Sequence, residues 1–472
     1  MTNLVHTIIW SVIQRYIPSL LHIVATLIIT RLISPSDFGE VALVTTFIQI
    51  AQLLVQSGLF DGLIYHSKNS DELYSSVFYF NIFIAVLIYL LLFISGPFIS
   101  DFYGISRLDL MIKVVSLNLL FFSLSITSRC ILILAMRFKE LATISLVASI
   151  IGSVLGLVLA YNGFNVWAII SIPLSINIIE TILIFYKTRW VPKLVFDKQQ
   201  LMVIVPYSLK IFLNNILQVV YDNIYSLTIG KVFNAKTLGL FNRMQTVMYY
   251  TTTNFMYSVE SVFFPFLCNK RDESKNVNDA YEKILRLSVC ILFPVVFIMF
   301  ALAKPIIILI LTEKWIEAVP ILKYLCVAYS FVPLIYVNNS FLKLNNLAGV
   351  LFTSNFIKKV VGVSLLLVFL PFGIDWVCKG LIIYYFIDCL ISMICIQKYI
   401  RINLFNQFRY ICVVLCYNFV AFLLLSQFDQ YVNNIWISIF LGASLYLIFY
   451  VCFLILFKTK EWQIISGIIK KK

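Results

Sequence analysis

The sequence predicts an all-α polytopic membrane protein of about fourteen transmembrane helices, and three observations predict it. Hydrophobic residues make up 61% of the 472 residues and charged residues only 12%, against roughly 25% charged in a soluble domain. With a mean hydropathy of +0.96, such a chain cannot clothe its own surface in polar groups, so its solvent is lipid. Apolar runs of crossing length recur from end to end, and the loops between them alternate between basic-rich and basic-poor.

A helix needs about 20 mostly apolar residues to cross roughly 30 Å of hydrocarbon. Runs that meet this lie at 10–31, 39–60, 77–99, 111–134, 141–161, 166–186, 202–229, 240–266, 286–304, 318–341, 349–371, 377–397, 408–427 and 434–457. Runs 202–229 and 318–341 are the weakest, because each holds several polar residues. Between the first two runs stands "RLISPSDFGE" (31–40). Pro35 cannot continue the first helix, and Ser36 or Asp37 is placed to cap the second, with Gly39 and Glu40 in its first turn. This accounts for a tight hairpin there, but not for the choice of Arg31.

With the N-terminus on the cytoplasmic side, the inner loops carry Arg137, Lys139, Lys187, Arg189, Lys193, Lys198, Lys270, Arg271, Lys275, Lys283, Arg286, Lys398, Arg401 and Arg409. The tail adds Lys458, Lys460 and Lys470 to Lys472. The outer loops hold Arg31, Arg107, Lys231, Lys236, Lys304, Lys314 and Lys379. This is the positive-inside bias, and it places both termini in the cytoplasm. One span missed or added would reverse the parity downstream. Trp10, Trp167, Trp190, Trp315, Trp376, Trp436 and Trp462 all fall at or just beyond span ends, where amphipathic rings settle.

Several classes are excluded. The formal charge of +14 sits in short loops, and no basic stretch interleaved with aromatics is long enough to track a nucleic acid. The ten cysteines include no CxxC pair, and His6, His22 and His66 lie far from all of them in sequence, so they read as small buried hydrophobes rather than a metal or redox site. There is no cleavable signal peptide pattern, since the first apolar run is long and lacks an A-x-A-like site. Neither GxSxG, HExxH nor a Walker sequence occurs, so the chain reads as a non-enzyme without a cofactor.

Charges inside spans are costly and are therefore functional candidates. Arg15 lies in the first span, Lys210 and Asp222 in the seventh, Arg243 at the start of the eighth, and Lys358 and Lys359 in the eleventh. Lys210 and Asp222 are twelve residues apart, about 18 Å of helical rise, so they do not pair with each other. Asn214, Asn215, Gln218 and Asp222 make a polar stripe that reads as the wall of an aqueous cavity, the alternative being interhelical hydrogen bonding. Arg15 and Arg243 lie near span ends, from which they can also snorkel to headgroups. Lys359 points roughly 100° away from Lys358. Intramembrane cations outnumber acids, which suits an anionic cargo such as a phosphate or diphosphate.

Three stretches carry a family resemblance. "TRLISPSDFGEVALVTTFIQIAQLLVQSGL" (30–59), "YDNIYSLTIGKVFNAKTLGLFNRMQT" (221–246) and "LTEKWIEAVPILKYL" (311–325) resemble motifs of the polysaccharide biosynthesis proteins. These are lipid-linked oligosaccharide flippases of the multidrug/oligosaccharidyl-lipid/polysaccharide exporter superfamily, and the branch looks like the lipopolysaccharide and colanic-acid type. The third stretch has threonine where that family commonly has glycine. The first two also echo each other, which suggests an internal repeat suited to alternating access.

The resemblance implies an inverted V of two six-helix lobes, 1–190 and 191–400, with two further helices and a basic tail at 401–472. It implies transport of an undecaprenyl-diphosphate-linked repeat unit from the cytoplasmic to the outer leaflet, by a monomer, with a polymerase and glycosyltransferases as pathway partners. Arg15, Arg31, Lys210, Asn214, Gln218, Asp222, Arg243 and Lys358 are then the expected substrate-binding residues. The rival is a cation-coupled drug antiporter of the same superfamily, which requires acids buried in the first six spans; there only Glu180 stands out, near the inner end of the sixth. A peptidoglycan-precursor flippase and a non-transporting scaffold are the remaining alternatives.

Overall fold

A computed structural model describes residues 2–66, 70–269, 274–431, 435–456 and 459–463, and every regular element among them is a helix. Contacts divide the chain into two compact units, Met1–Gly239 and Leu240–Lys472. The first unit holds α1 (Thr2–Leu32), α2 (Pro35–Gln56), the short α3 (Leu59–His66), α4 (Asp71–Tyr103), α5 (Leu108–Leu134), α6 (Phe138–Tyr161), α7 (Val166–Thr188) and α8 (Lys198–Val232). This unit extends past residue 190 because α8 packs on α2, α3 and α4.

Helix α9 (Ala235–Met248) begins in the last residues of the first unit. The second unit continues through a π turn (Tyr249–Thr253), α10 (Asn254–Asn269), α11 (Ser274–Ala301), α12 (Ala303–Leu311) and a 3-10 turn (Glu313–Ala318). Then come α13 (Val319–Tyr329), α14 (Val332–Leu344), α15 (Ala348–Phe369), α16 (Ile374–Ile400), α17 (Leu404–Tyr431) and α18 (Ile435–Leu456).

Among the described residues, eleven segments are long and apolar enough to cross a membrane, and α1 and α17 contribute the shorter apolar stretches Ile17–Leu32 and Gln407–Phe422. The expected span 240–266 is a helical run interrupted by the π turn, and it is not among the eleven. Span 318–341 is broken into α13 and α14 at Ser330 and Phe331, just before Pro333. Outward-facing residues on α4 include Phe83, Leu87, Leu91, Ile94 and Phe98. An exposed patch of that size would be an aggregation hazard in water and is normal against lipid.

The hairpin at 31–40 differs from expectation in one respect. Helix α2 starts at Pro35 itself, and Ser34 is its N-cap: the Ser34 hydroxyl accepts from the Asp37 amide at 3.2 Å. Proline is favoured at this first helical position because the amide it lacks would have no partner there. Ser34→Ala is expected to cost about 1 kcal/mol. Thermal unfolding of the detergent-purified protein would read it, and an unchanged transition would show that the cap carries nothing.

Asp37 in that first turn and Glu40 in the second are both held from a neighbouring loop, since Arg107 reaches each at 3.4 Å. Trp315 corrects the interfacial reading of the tryptophans. It is fully buried in the 3-10 turn, whereas Trp376 and Trp436 are exposed. Arg286, counted above as an inner-loop cation, is buried as well: it bonds Glu282 at 2.8 Å and pairs with Glu461, which follows the last helix. Buried pairs of this kind have charges neutralised by geometry that loop counting does not see.

Candidate functional site

Helix α8 is capped by Asp197, whose carboxylate accepts from the amides of Gln199 and Gln200 at 2.9 and 3.0 Å. It is anchored near its two ends, by Leu201, Ile204 and Ser208 at one and by Tyr225 and Ile229 at the other, all buried. Much of the rest is open: Tyr207, Lys210, Gln218 and Asp222 are exposed. At 100° per residue, Tyr207, Asn214 and Gln218 share a heading, with Lys210 and Asp222 about 60° to either side. Gln218 donates its amide to both carboxylate oxygens of Asp222, at 2.8 and 2.9 Å.

Chemically, this face offers an ammonium toward one end and an amide–carboxylate pair toward the other. The first suits a phosphate oxygen and the second suits hydroxyl groups. The expected residues Lys210, Gln218 and Asp222 therefore lie along one helix face. Asn214 occupies the register position between them, but its side chain is outside the described residues, as is that of Arg15 on α1. Arg31 is exposed in the last turn of α1.

The remaining two expected residues belong to the second unit. Arg243 on α9 is only 4% exposed. Lys358 on α15 is 3% exposed, and its Nζ lies 2.7 Å from Oδ1 of Asp388 on α16. Lys359 is partly exposed. The excess of intramembrane cations is thus smaller than the sequence count suggests, because Lys358 has an internal counter-charge.

Asp388 was missed by reasoning from the sequence, although an acid in the middle of the span following Lys358 was the available signal. A second network was missed in the first unit. Arg129 on α5 pairs with Glu180 on α7, and Glu180 accepts from the Ser145 hydroxyl on α6 at 2.7 Å. Alongside it, Asn177 donates to Asn118 at 2.6 Å, and Thr181 donates to the Phe121 carbonyl at 2.9 Å. This ties three helices together with saturated polar groups, which fits a structural bond network. Glu40, on α2, is a further buried acid of the first unit, with Arg107 as its partner.

Known proteins bear on this arrangement in two ways. The family described as polysaccharide biosynthesis protein matches residues 28–320, more than half of the chain. The chain belongs to that family. Among relatives, this polysaccharide biosynthesis protein is 22% identical over 319 residues to the succinoglycan biosynthesis transport protein ExoT of Rhizobium meliloti, covering 68% of this chain and 65% of that one.

It is 22% identical to the teichuronic acid biosynthesis protein TuaB of Bacillus subtilis over 67% of this chain and 66% of the relative. To the lipopolysaccharide biosynthesis protein WzxC of Escherichia coli it is 21% identical over 67% and 65%. The matches thus span just under two thirds of each relative. Among solved structures, the lipid II flippase MurJ in an inward closed conformation superposes with a TM-score of 0.72 at 17% identity, covering 96% of this chain and all of that one. An inward-facing multidrug resistance transporter superposes with a TM-score of 0.62 at 14% identity, covering 82% and 98%. At such identities the likeness concerns the fold: an all-α polytopic membrane fold shared with these transporters.

Proposed function

We propose that this protein is a flippase, not an enzyme, that carries an undecaprenyl-diphosphate-linked oligosaccharide repeat unit from the cytoplasmic to the outer leaflet of the bacterial inner membrane, for surface polysaccharide assembly. The observation that carries the reading is the exposed face of α8. On a helix of crossing length, a lysine or aspartate facing lipid near the middle costs about 2.5–3.5 kcal/mol. Lys210 and Asp222 avoid that cost by facing a water-filled route, where a charged, hydroxylated headgroup can pass. Family membership and the names of the relatives, which refer to succinoglycan, teichuronic acid and lipopolysaccharide, support the cargo class.

In this reading Lys210 contacts the diphosphate, and Asn214, Gln218 and Asp222 contact sugar hydroxyls. Arg15, Arg31 and Arg243 are each further candidates for the diphosphate, while Lys358 is assigned to holding Asp388. Fourteen spans with both termini cytoplasmic belong to the same proposal, as do a monomeric state and pathway partners that polymerise or build the glycan.

The test is a deletion in the source bacterium, complemented by wild type, Lys210→Ala and Lys210→Arg. Expected is loss of surface glycan, with diphosphate-linked repeat units trapped facing the cytoplasm. Wild type should reverse both effects, Lys210→Arg most of them, and Lys210→Ala little. Normal surface glycan together with changed sensitivity to cationic drugs would overturn the reading in favour of the antiporter.

A further inference from the structure

At one end of the α8 face stands a feature that the diphosphate chemistry does not use. The ring of Tyr207 is stacked on the ring of Tyr65, which comes from α3, with centroids 4.1 Å apart and planes 15° from parallel. Tyr65 is 66% exposed and Tyr207 is 36% exposed. Tyr207 therefore backs Tyr65, and the outer face of Tyr65 is left open.

The pair is built from below. Gly58 and Gly62 bring the start of α3 against Ser208: a Cβ at Gly58 would collide with the Ser208 carbonyl, and one at Gly62 with its hydroxyl. Leu59 and Leu63 of α3 pack with Leu201 and Ile204 of α8, and with Leu73, Val77 and Cys130, in a closed core. Helix α3 is thus fixed to α8 by backbone-distance packing, which sets the two rings in register.

Position adds a second argument. Tyr207 shares its heading on α8 with Gln218, and Lys210 follows one turn later. A rigid open aromatic face one turn from an ammonium fits a sugar joined to a phosphate: ring C–H bonds pack on the aromatic face and the phosphate meets the ammonium. Aromatic side chains supply that contact area at low entropic cost, having only two χ angles to fix.

We infer that the stacked Tyr65–Tyr207 pair is a sugar subsite, which takes the C–H-rich face of a hexopyranose in the repeat unit. The inference rests on the flippase reading for its cargo, and it lies wholly within the first unit.

The test uses full-length protein in nanodiscs and saturation-transfer NMR with methyl β-D-glucopyranoside, methyl β-D-galactopyranoside, methyl α-D-mannopyranoside and methyl α-L-rhamnopyranoside as probes. Wild type should saturate the ring C–H protons of at least one probe. A Tyr65→Phe/Tyr207→Phe variant should keep more than half of that signal. Tyr65→Leu/Tyr207→Leu, which retains apolar bulk but no ring, should lose at least fivefold, and in cells it should trap lipid-linked repeat units. Equal saturation in the leucine variant, or none in wild type, overturns the subsite. If the leucine variant exports normally while the deletion strain still traps intermediate, the subsite falls and the flippase reading stands. If the deletion strain traps nothing, the flippase reading falls, and the NMR result alone decides whether the rings bind sugar.

Discussion

Lys358→Met will destabilise the second unit by about 3–5 kcal/mol, because it strands the buried Asp388 carboxylate without its counter-ion. The pair lies between α15 and α16 with its ions 2.7 Å apart and both residues at most 9% exposed. Removing one partner leaves a desolvated charge, whereas removing both leaves ordinary packing. The double variant Lys358→Met/Asp388→Leu should therefore return to wild-type stability or slightly exceed it, as buried pairs replaced by apolar residues of similar volume commonly do. Thermal unfolding of purified single and double variants measures this, and a double variant no better than the single would refute the pairing.

Transport assays on the same proteins then separate two roles for Lys358. Export regained by the double variant makes the lysine a structural partner of Asp388. A stable double variant that fails to export makes the charge itself part of the transport route.

That pair also marks the limit of what the sequence disclosed. Crossing helices, their order and the polar face of α8 are local properties: length, hydropathy and a period of 3.6 are all readable within a single stretch. The start of α2 is nearly readable too: its cap is Ser34, two or three residues before the expected Ser36 or Asp37, because Pro35 is a first helical residue as well as a helix stop. What escaped were partners that meet through folding. Asp388 comes thirty positions after Lys358, Glu180 comes 51 after Arg129, and Glu461 comes 175 after Arg286. Lys358 reads as surplus intramembrane charge and Arg286 as a loop cation only while each helix is considered alone; both are paired in the fold. Trp315 escaped for the same reason, since a span-end position says nothing about the 3-10 turn that folds the ring inward.

The echo between "SPSDFG" and "NAKTLG" leads to the last expectation. Pro35 and Ala235 each open a helix after a capping residue, and Gly39 and Gly239 each follow four positions later. The two stretches touch, and they do so reciprocally. A Cβ on Gly39 would run into the Ala235 carbonyl, and one on Gly239 into the Pro35 carbonyl; each would also lie 2.9 Å from the other glycine's amide nitrogen. The first turns of α2 and α9 thus approach each other backbone to backbone, each glycine facing a carbonyl of the other stretch.

Because the obstacle on each side is main chain, neither turn can yield by a rotamer change. Gly39→Leu and Gly239→Leu should each cost at least the 1–3 kcal/mol typical of overpacking. They should also fail to add: whichever substitution comes first already separates the turns, so the second meets a gap. The double variant is expected to melt close to the worse single variant, a coupling of the kind that contacting residues show. Costs that simply summed would mean that the two glycines are not each other's contact, and the echo would then be a resemblance of sequence without a shared seam.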